Sequence, residues 1–515
     1  MRRCRTAIHS SRSGAGAGGR VERFRSAWRR CVPTGGRRPM KIVMVSLDTL
    51  RADRLGCCGY GKPTSPHLDK IASEGVLMER AYAADIPTEA AHSAIFTGCI
   101  GLTTGIVSHG SELAYLPKSV EWLPSKLKTA GFVTGAVDNL YNLKEWFARG
   151  YRYYINSSGK KRWIDGRTVN ELALPWIREH KDDDFFLFLH YWDAHTPYLP
   201  PKDYIAPFYD KESDPYASGN TSMERAYSHP AYPFFKHHHY KRLGPVTDAA
   251  YISALYDAEI RYLDDRLREL DDCLSEAGIR DDTLLILFGD HGESLTEHDI
   301  YWDHCGLYEP TVHVPLIMRW PGRIPASRRV RGFVQHADLM PTLLEAIAAE
   351  APAEIDGAAL RPASEYDGRS LWPAIRGEAE GTLDEVYLSE CAWQAARAVR
   401  NEQFKLIRNY DTGPFRRPAV ELYDLQRDPE ERYNAAEAFP QIAEAMERRL
   451  DAFVAGKLSG RPDPMMVQIR EAQLPFRRRI ESILGAVGLT WESWIANPQR
   501  ERYDALEEAL ARKLE

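Results

Sequence analysis

The sequence predicts an α/β protein with a mostly parallel sheet flanked by helices and a smaller C-terminal subdomain containing an antiparallel sheet. Three observations carry that prediction. Four short apolar runs are bounded by charged residues, the pattern of strands buried on both faces. Between the last two runs, apolar residues recur at spacings of three and four, the period of one helix face. Past the stretch around Pro362–Asp384, short strand candidates follow one another directly. Strands alternating with helices make a parallel sheet, whereas consecutive strands pair antiparallel.

In chain order, Lys41–Leu47 is the first strand run. A helical stretch around Val120–Ala130 precedes the second, Phe132–Val137. Phe185–Leu189 and Thr283–Phe288 are the third and fourth. Between them Ile252, Tyr256, Ile260, Leu263, Leu267 and Leu270 mark a buried helix stripe. Val386–Leu388, Ala396–Arg400, Phe404–Arg408 and Glu421–Leu425 are the later strands, with Asn401-Glu402-Gln403 as a turn. A helix is expected over Gln441–Val454, then a helical tail with breaks at Pro475 and Pro498. The organisation read from this is a leader over 1–39, an α/β domain over 40–375, a subdomain over 376–455 and a tail over 456–515. Residues 204–245 form a long irregular insertion rich in Tyr, Phe, Pro and His, including His237–His239, as a lid or binding loop would. A solvated loop run is expected for those three histidines rather than a metal site.

Charge is distributed unevenly. Residues 1–39 hold eleven Arg and one Glu, a surplus of ten, so with a formal net charge of −6 the rest carries −16. An acidic body argues against nucleic acid as a partner. The basic stretch reads as a disordered leader or an over-called start before Met40 rather than an organelle transit peptide. No apolar run reaches the roughly 18 residues that span a bilayer. The eight Cys form no C-x-x-C and read as free thiols of a reducing compartment, which implies a cytoplasmic location. The tail is a candidate surface for a homo-oligomer.

Three strand runs end in metal-capable residues: Asp48, Asp290-His291, and the stretch His190-Tyr191-Trp192-Asp193-Ala194-His195. Ligands bind beyond the carboxyl ends of strands in open α/β sheets. One such Asp is commonly a helix cap; three strand ends bearing Asp or His also fit a hydrolytic metal site. Pro87 and Thr88 open a short helix that Gly98 stops. Thr88 there is either a cap or a hydroxyl beside the positive helix end, where an anion binds. His336-Ala337-Asp338 reads as the cap of the next helix, and His313 as structural.

The order of these segments resembles the sulfatase family of the alkaline-phosphatase superfamily over about residues 41–435. Ser46-Leu47-Asp48-Thr49 resembles its first metal segment, and Thr64-Ser65-Pro66-His67 the helix after it. Phe96-Thr97-Gly98 ends the nucleophile segment, Asp193-Ala194-His195-Thr196-Pro197-Tyr198 is similar to the substrate-contacting segment, and Phe288-Gly289-Asp290-His291-Gly292-Glu293 to the second metal segment. His313-Val314-Pro315, Trp320-Pro321-Gly322, Leu422-Tyr423-Asp424-Leu425 and Asp428-Pro429-Glu430 complete the series. Three positions depart from the family pattern. Thr88 stands where a Cys or Ser is converted to formylglycine, His92 stands at the motif's Arg, and Thr49 replaces a second Asp. Thr cannot become formylglycine.

The resemblance implies one divalent cation, Ca, Mn, Mg or Zn, held by Asp48, Asp290 and His291 and completed by Thr88. It implies Thr88 as nucleophile toward a small anionic ester. His195 and His304 are candidates to contact the transferred group or protonate the leaving oxygen, and His92 to orient Thr88 or bind an oxyanion. The expected activity is hydrolysis of a phosphodiester or phosphonate monoester. The alternatives are a sulfuric ester hydrolase using Thr88 directly, a catalytically silent binding protein, and a phosphoryl transferase.

Overall fold

The four apolar runs become the middle of one large sheet. The computed structural model describes residues 38–156, 164–231, 240–350, 360, 365–379, 383–496, 506 and 512. The basic leader before residue 38, His237–His239 and Pro498 lie outside the described residues. Met40–Glu515 forms one compact unit.

Its strands are β1 Lys41–Leu47, β2 Val76–Tyr82, β3 Asp85–Ile86, β4 Val133–Asp138, β5 Tyr153–Asn156, β6 Phe185–Tyr191, β7 Thr283–Gly289, β8 His313–Val314, β9 Leu316–Arg319, β10 Arg328–Gln335, β11 Val386–Cys391, β12 Ala395–Arg400, β13 Phe404–Asp411 and β14 Val420–Asp424. The large sheet has the order β10-β2-β9-β7-β1-β6-β4-β5, with β8 beside β2. β1 lies between β6 and β7, parallel to both. β9 runs antiparallel to β7 and β2, so the sheet is mostly parallel. Every residue of β1, β6 and β7 is buried, which explains their uninterrupted apolar sequences.

Helices cover both faces of such a sheet. The long helix Ala249–Glu276 is capped by the Asp248 carboxylate, which accepts from Ala250 N–H, and buries Ile252, Tyr256, Ile260, Leu263, Leu267 and Leu270. A shorter helix, Leu123–Thr129, leads into β4. His336-Ala337-Asp338 forms a capping box with Gln335 ahead of the helix Leu339–Glu350.

The second sheet has the order β14-β13-β12-β11-β3. β11 to β14 pair antiparallel. β3, from far earlier in the chain, joins it parallel to β11, with Asp85 opposite Ser389 and Ile86 opposite Glu390. Helix Pro440–Leu458 packs Ala443, Met446 and Leu450 on Val399, Leu406 and Leu422.

The tail contains helices Pro464–Ala472, Pro475–Ala486 and Trp491–Ala496. Pro475 opens a helix as well as breaking the one before, since the first helical residue needs no N–H. Met465 and Leu474 pack on Val107, Cys391 and Ala395. Ile480, Ile483, Leu484, Trp491 and Trp494 join the main core, and Trp494 Nε1–H donates to the Pro230 carbonyl. No described helix is long and apolar enough to cross a membrane. Six described cysteines are free thiols, Cys57 and Cys58 with sulfurs 4.0 Å apart.

The core accounts for the fold's stability, and this can be measured. Leu187 is 1% exposed at the centre of β6, whereas Leu113 is 48% exposed. Leu187→Ala is expected to cost about 2–5 kcal/mol through lost burial and the cavity left behind. Leu113→Ala should change stability by less than about 0.5 kcal/mol. Urea unfolding of the two variants checks the difference.

Candidate active site

Three adjacent strands deliver the site. Asp48 follows β1, Asp290 and His291 follow β7, and His190 is the penultimate residue of β6. The backbone N–H of Asp48 donates to the Tyr191 carbonyl, extending the β1–β6 ladder one residue past the strand end. Thr49 then turns at φ +57°, a conformation a β-branched residue adopts only at a cost of about 1–3 kcal/mol. The Tyr256 hydroxyl pins this turn, donating to the Thr49 carbonyl and accepting from Arg51 N–H. After β7 the chain passes Gly292, where a Cβ would stand 2.0 Å from the Pro310 carbonyl oxygen. Only glycine lets His291 and Glu293 flank that close approach.

The fourth component is helix Thr88–Thr97, buried at every residue. Its cap position is Pro87, and Thr88 is the first helical residue with no capping bond, so the cap reading of Thr88 is set aside. The Thr88 hydroxyl lies 3.1 Å from His291 Nε2. His291 Nδ1 faces the Gly292 carbonyl at 3.1 Å; a carbonyl only accepts, so Nδ1 carries the proton and Nε2 presents its lone pair to Thr88.

Ligand atoms of Asp48, Asp290 and His291 all lie within 4.8 Å of one another, and all three residues are buried. His291 Nε2 is 3.4 Å from Asp290 Oδ2 and 4.0 Å from Asp48 Oδ1. Asp290 Oδ1 accepts from the Thr49 and His291 N–H groups, whereas Asp290 Oδ2 and Asp48 Oδ1 are buried and have no hydrogen-bond donor among the described residues. Burial first, and then the Asp290 charge, hold the Asp48 carboxyl well above its usual range. Two neighbouring buried carboxylates, each with an undonated oxygen, are relieved by a proton on one of them or by a cation between them. Two carboxylates, an imidazole and a hydroxyl are hard oxygen ligands with one nitrogen and fit Ca, Mn, Mg or Zn.

Aromatic and imidazole rings line the surroundings. His304 stacks on His291 at 4.8 Å between centroids, and His195 approaches His304 at 5.0 Å. His304 Nδ1 is 3.6 Å from both Glu293 Oε2 and Asp303 Oδ1. Burial alone would lower the His304 pKa, but Asp303 and then Glu293 outweigh it and raise it to about 10. His304 therefore stands as an imidazolium beside the pocket. His195 is half-buried, with Nδ1 donating to the Thr196 carbonyl at 2.6 Å.

His92 stands one turn further along the same helix. Nδ1 donates to the Thr88 carbonyl at 2.8 Å and Nε2 accepts from the Ser46 hydroxyl at 2.9 Å. Burial, with His190 second, depresses its pKa to about 3, so it is neutral. Both ring nitrogens are engaged within the fold, leaving none for an oxyanion; of the two expected roles, only holding Thr88 has a ring nitrogen behind it. Away from the pocket, His313 Nε2 donates to the Glu79 carbonyl, His298 stacks on Tyr308 at 3.6 Å, and His336 Nε2 donates to the Gly289 carbonyl.

Sequence reasoning missed two contributors. His190 Nε2 contacts Asp48 Oδ2 at 3.0 Å, and Glu293 accepts from the Tyr198 hydroxyl while facing His304. Both stand within the segments singled out, but only strand register shows where they face.

A family model for sulfatases matches residues 41–349, and one for the C-terminal region of N-sulphoglucosamine sulphohydrolase matches residues 296–455. The chain belongs to the sulfatase family. This sulfatase-family hydrolase is 22% identical over 468 residues to an N-acetylglucosamine-6-O-sulfatase of Bacteroides thetaiotaomicron, covering 76% of this chain and 82% of that protein. Its fold is similar to a phosphonate monoester hydrolase of Agrobacterium radiobacter, with a TM-score of 0.63 and 20% identity over 81% of this chain and 96% of that one. It is also similar to a structure solved with its substrate D-glucosamine-2-N,6-O-disulfate, with a TM-score of 0.64 and 18% identity over 83% of this chain and 99% of that one.

The pocket's chemistry sets an expected composition. Metal analysis of the purified protein should give about one divalent cation per chain. Asp290→Asn should retain less than about a tenth of it while keeping its circular dichroism. A metal content unchanged by Asp290→Asn would contradict the assignment.

Proposed function

We propose that the chain is a metal-dependent hydrolase in which the Thr88 oxygen attacks an anionic phosphorus centre of a phosphodiester or phosphonate monoester. One observation carries the reading: the Thr88 hydroxyl meets His291 Nε2 at 3.1 Å, beside undonated oxygens of Asp48 and Asp290. Asp48, Asp290, His291 and Thr88 would hold the cation, which supplies the Lewis acidity that lowers a hydroxyl pKa.

The chain's own groups do the rest. Thr88 sits in the first turn of its helix, where peptide N–H groups lack intrahelical partners and favour negative charge. His92 holds the Thr88 carbonyl and so fixes the backbone that carries the hydroxyl. Thr88 releases its proton to solvent, its oxygen bonds to phosphorus, and the bond to the leaving oxygen breaks. The His304 imidazolium, beside His195, gives the leaving oxygen its proton. Water then bonds to phosphorus and gives a proton back to His304, while the Thr88 oxygen departs and takes a proton from solvent. The sum is ester plus water giving alcohol plus acid.

Threonine also supports phosphorus over sulfur. A formylglycine hydrate can expel sulfate by collapsing to its aldehyde; an ester on Thr88 has no such route and must be displaced by water. The matched folds include a phosphonate monoester hydrolase and an enzyme holding an N- and O-sulfated sugar, so both ester classes belong in the assay. A panel of aryl phosphodiester, phosphonate, phosphomonoester and sulfate esters with several metals tests the choice. The phosphodiester or phosphonate should be fastest; a sulfate ester fastest by a wide margin would reverse it.

Thr88→Ala should lower turnover by about a thousandfold or more with the fold intact. His304→Ala should lower it by about 10²–10⁴-fold for poor leaving groups and far less for a nitrophenolate, which needs no proton. Steady-state kinetics across a leaving-group series separates the two roles. A Thr88→Ala variant with full activity would remove Thr88 as nucleophile.

A further inference from the structure

We propose that His190 is a positioning residue that determines which oxygen of Asp48 faces the cation pocket. The inference rests on the reading of Asp48, Asp290 and His291 as cation ligands and adds a residue which that reading does not use.

The sheet sets the contact. His190 of β6 lies in register with Ser46 of β1, and Asp48 is two residues further on. Residues two apart in an extended chain point to one side. His190 Nε2 lies 3.0 Å from Asp48 Oδ2, with both side chains wholly buried. With a cation at Oδ1 the Asp48 carboxylate is ionised and only accepts, so His190 Nε2 carries the proton and donates. That bond occupies Oδ2. Oδ1 keeps no donor and is the oxygen that looks toward His291, at 4.0 Å. Asp48 therefore presents one defined oxygen, and its carboxylate plane cannot turn without breaking a buried hydrogen bond. Asp290 is treated in the same way: Oδ1 is held by two N–H donors and Oδ2 is left open. Both carboxylates thus have one oxygen held by the fold and one turned to the cation pocket.

An alternative is that His190 itself binds a cation. Together with His92 and Asp290 it makes a second group whose ligand atoms lie within 4.8 Å of one another. His92 has no lone pair to give that group. His92 Nδ1 donates to the Thr88 carbonyl and Nε2 is taken by the Ser46 hydroxyl. His190 Nε2 donates to Asp48, so a cation there would have only His190 Nδ1 and Asp290 as ligands. The two histidines hold Thr88 and Asp48 in place, and the cation sits with the Asp48–Asp290–His291 set.

The two roles are separated by replacing the ring with amides of two lengths. Glutamine places an N–H donor near the position of His190 Nε2; asparagine is too short to reach Asp48. Mn²⁺ is titrated into chelator-stripped full-length protein, and free Mn²⁺ is read by electron paramagnetic resonance. His190→Asn is expected to raise the Mn²⁺ dissociation constant by about 10–100-fold, and His190→Gln to stay within about threefold of the parent. Circular dichroism confirms that both variants fold. The proposal is overturned if His190→Asn binds Mn²⁺ as the parent does. It is equally overturned if His190→Gln is as weak as His190→Asn, the result a direct imidazole ligand would give. A parent protein that binds no Mn²⁺, Ca²⁺ or Zn²⁺ would overturn the hydrolase reading as well; a tightly binding parent with an unaffected His190→Asn overturns this inference alone.

Discussion

Two carboxylates lie side by side at the buried carboxyl edge of the large sheet, each with an oxygen that no hydrogen bond satisfies. As ionised groups, Asp48 Oδ1 and Asp290 Oδ2 cost free energy there, which a cation between them offsets. Much of the local structure serves that arrangement. β1 lies between β6 and β7, so residues some 140 and 240 positions apart in the chain share one edge. Thr49 accepts a left-handed turn, and Gly292 passes against the Pro310 carbonyl, to keep Asp48, Asp290 and His291 together.

The second sheet takes part in the site as well. β3 pairs with β11 immediately before Pro87 and Thr88, which ties the entry of the helix Thr88–Thr97 to the C-terminal sheet. Glu390 of β11 accepts from Gly306 N–H, two residues past His304, and from Gln394. Asp303 and Glu293 then hold the His304 charge. Lys405 on β13 bridges Glu309 and Glu431, joining the second sheet to the chain that follows the metal segment. The residues after about 376 support Thr88 and His304 from behind.

The sequence was legible where one physical signal dominates. β1, β4, β6 and β7 are apolar because they are buried on both faces, and the helix over Ala249–Glu276 shows its period. β2 and β10 were not found as strands: Val76–Tyr82 carries Glu79 and Arg80, and Arg328–Gln335 carries three Arg, so neither shows a clean run. β3 has two residues and exists only through its partner β11. For the site, Asp48, Thr88, Asp290 and His291 stood at strand and helix ends, where pattern and resemblance agree. His190 was hidden because an imidazole inside a strand has no local signature; its role comes from the register with β1. Read alone, Thr88 looked more like a cap, and its place one residue past Pro87 separates the readings.

The central claim is a cation between Asp48, Asp290 and His291 in contact with the Thr88 oxygen. Anomalous diffraction at the manganese edge from crystals grown with Mn²⁺ tests it most directly. The account predicts one strong peak about 2.0–2.4 Å from Asp48 Oδ1, Asp290 Oδ2, His291 Nε2 and Thr88 Oγ1. A protein crystallised in this fold with no peak there, or with manganese bound only elsewhere, would contradict it.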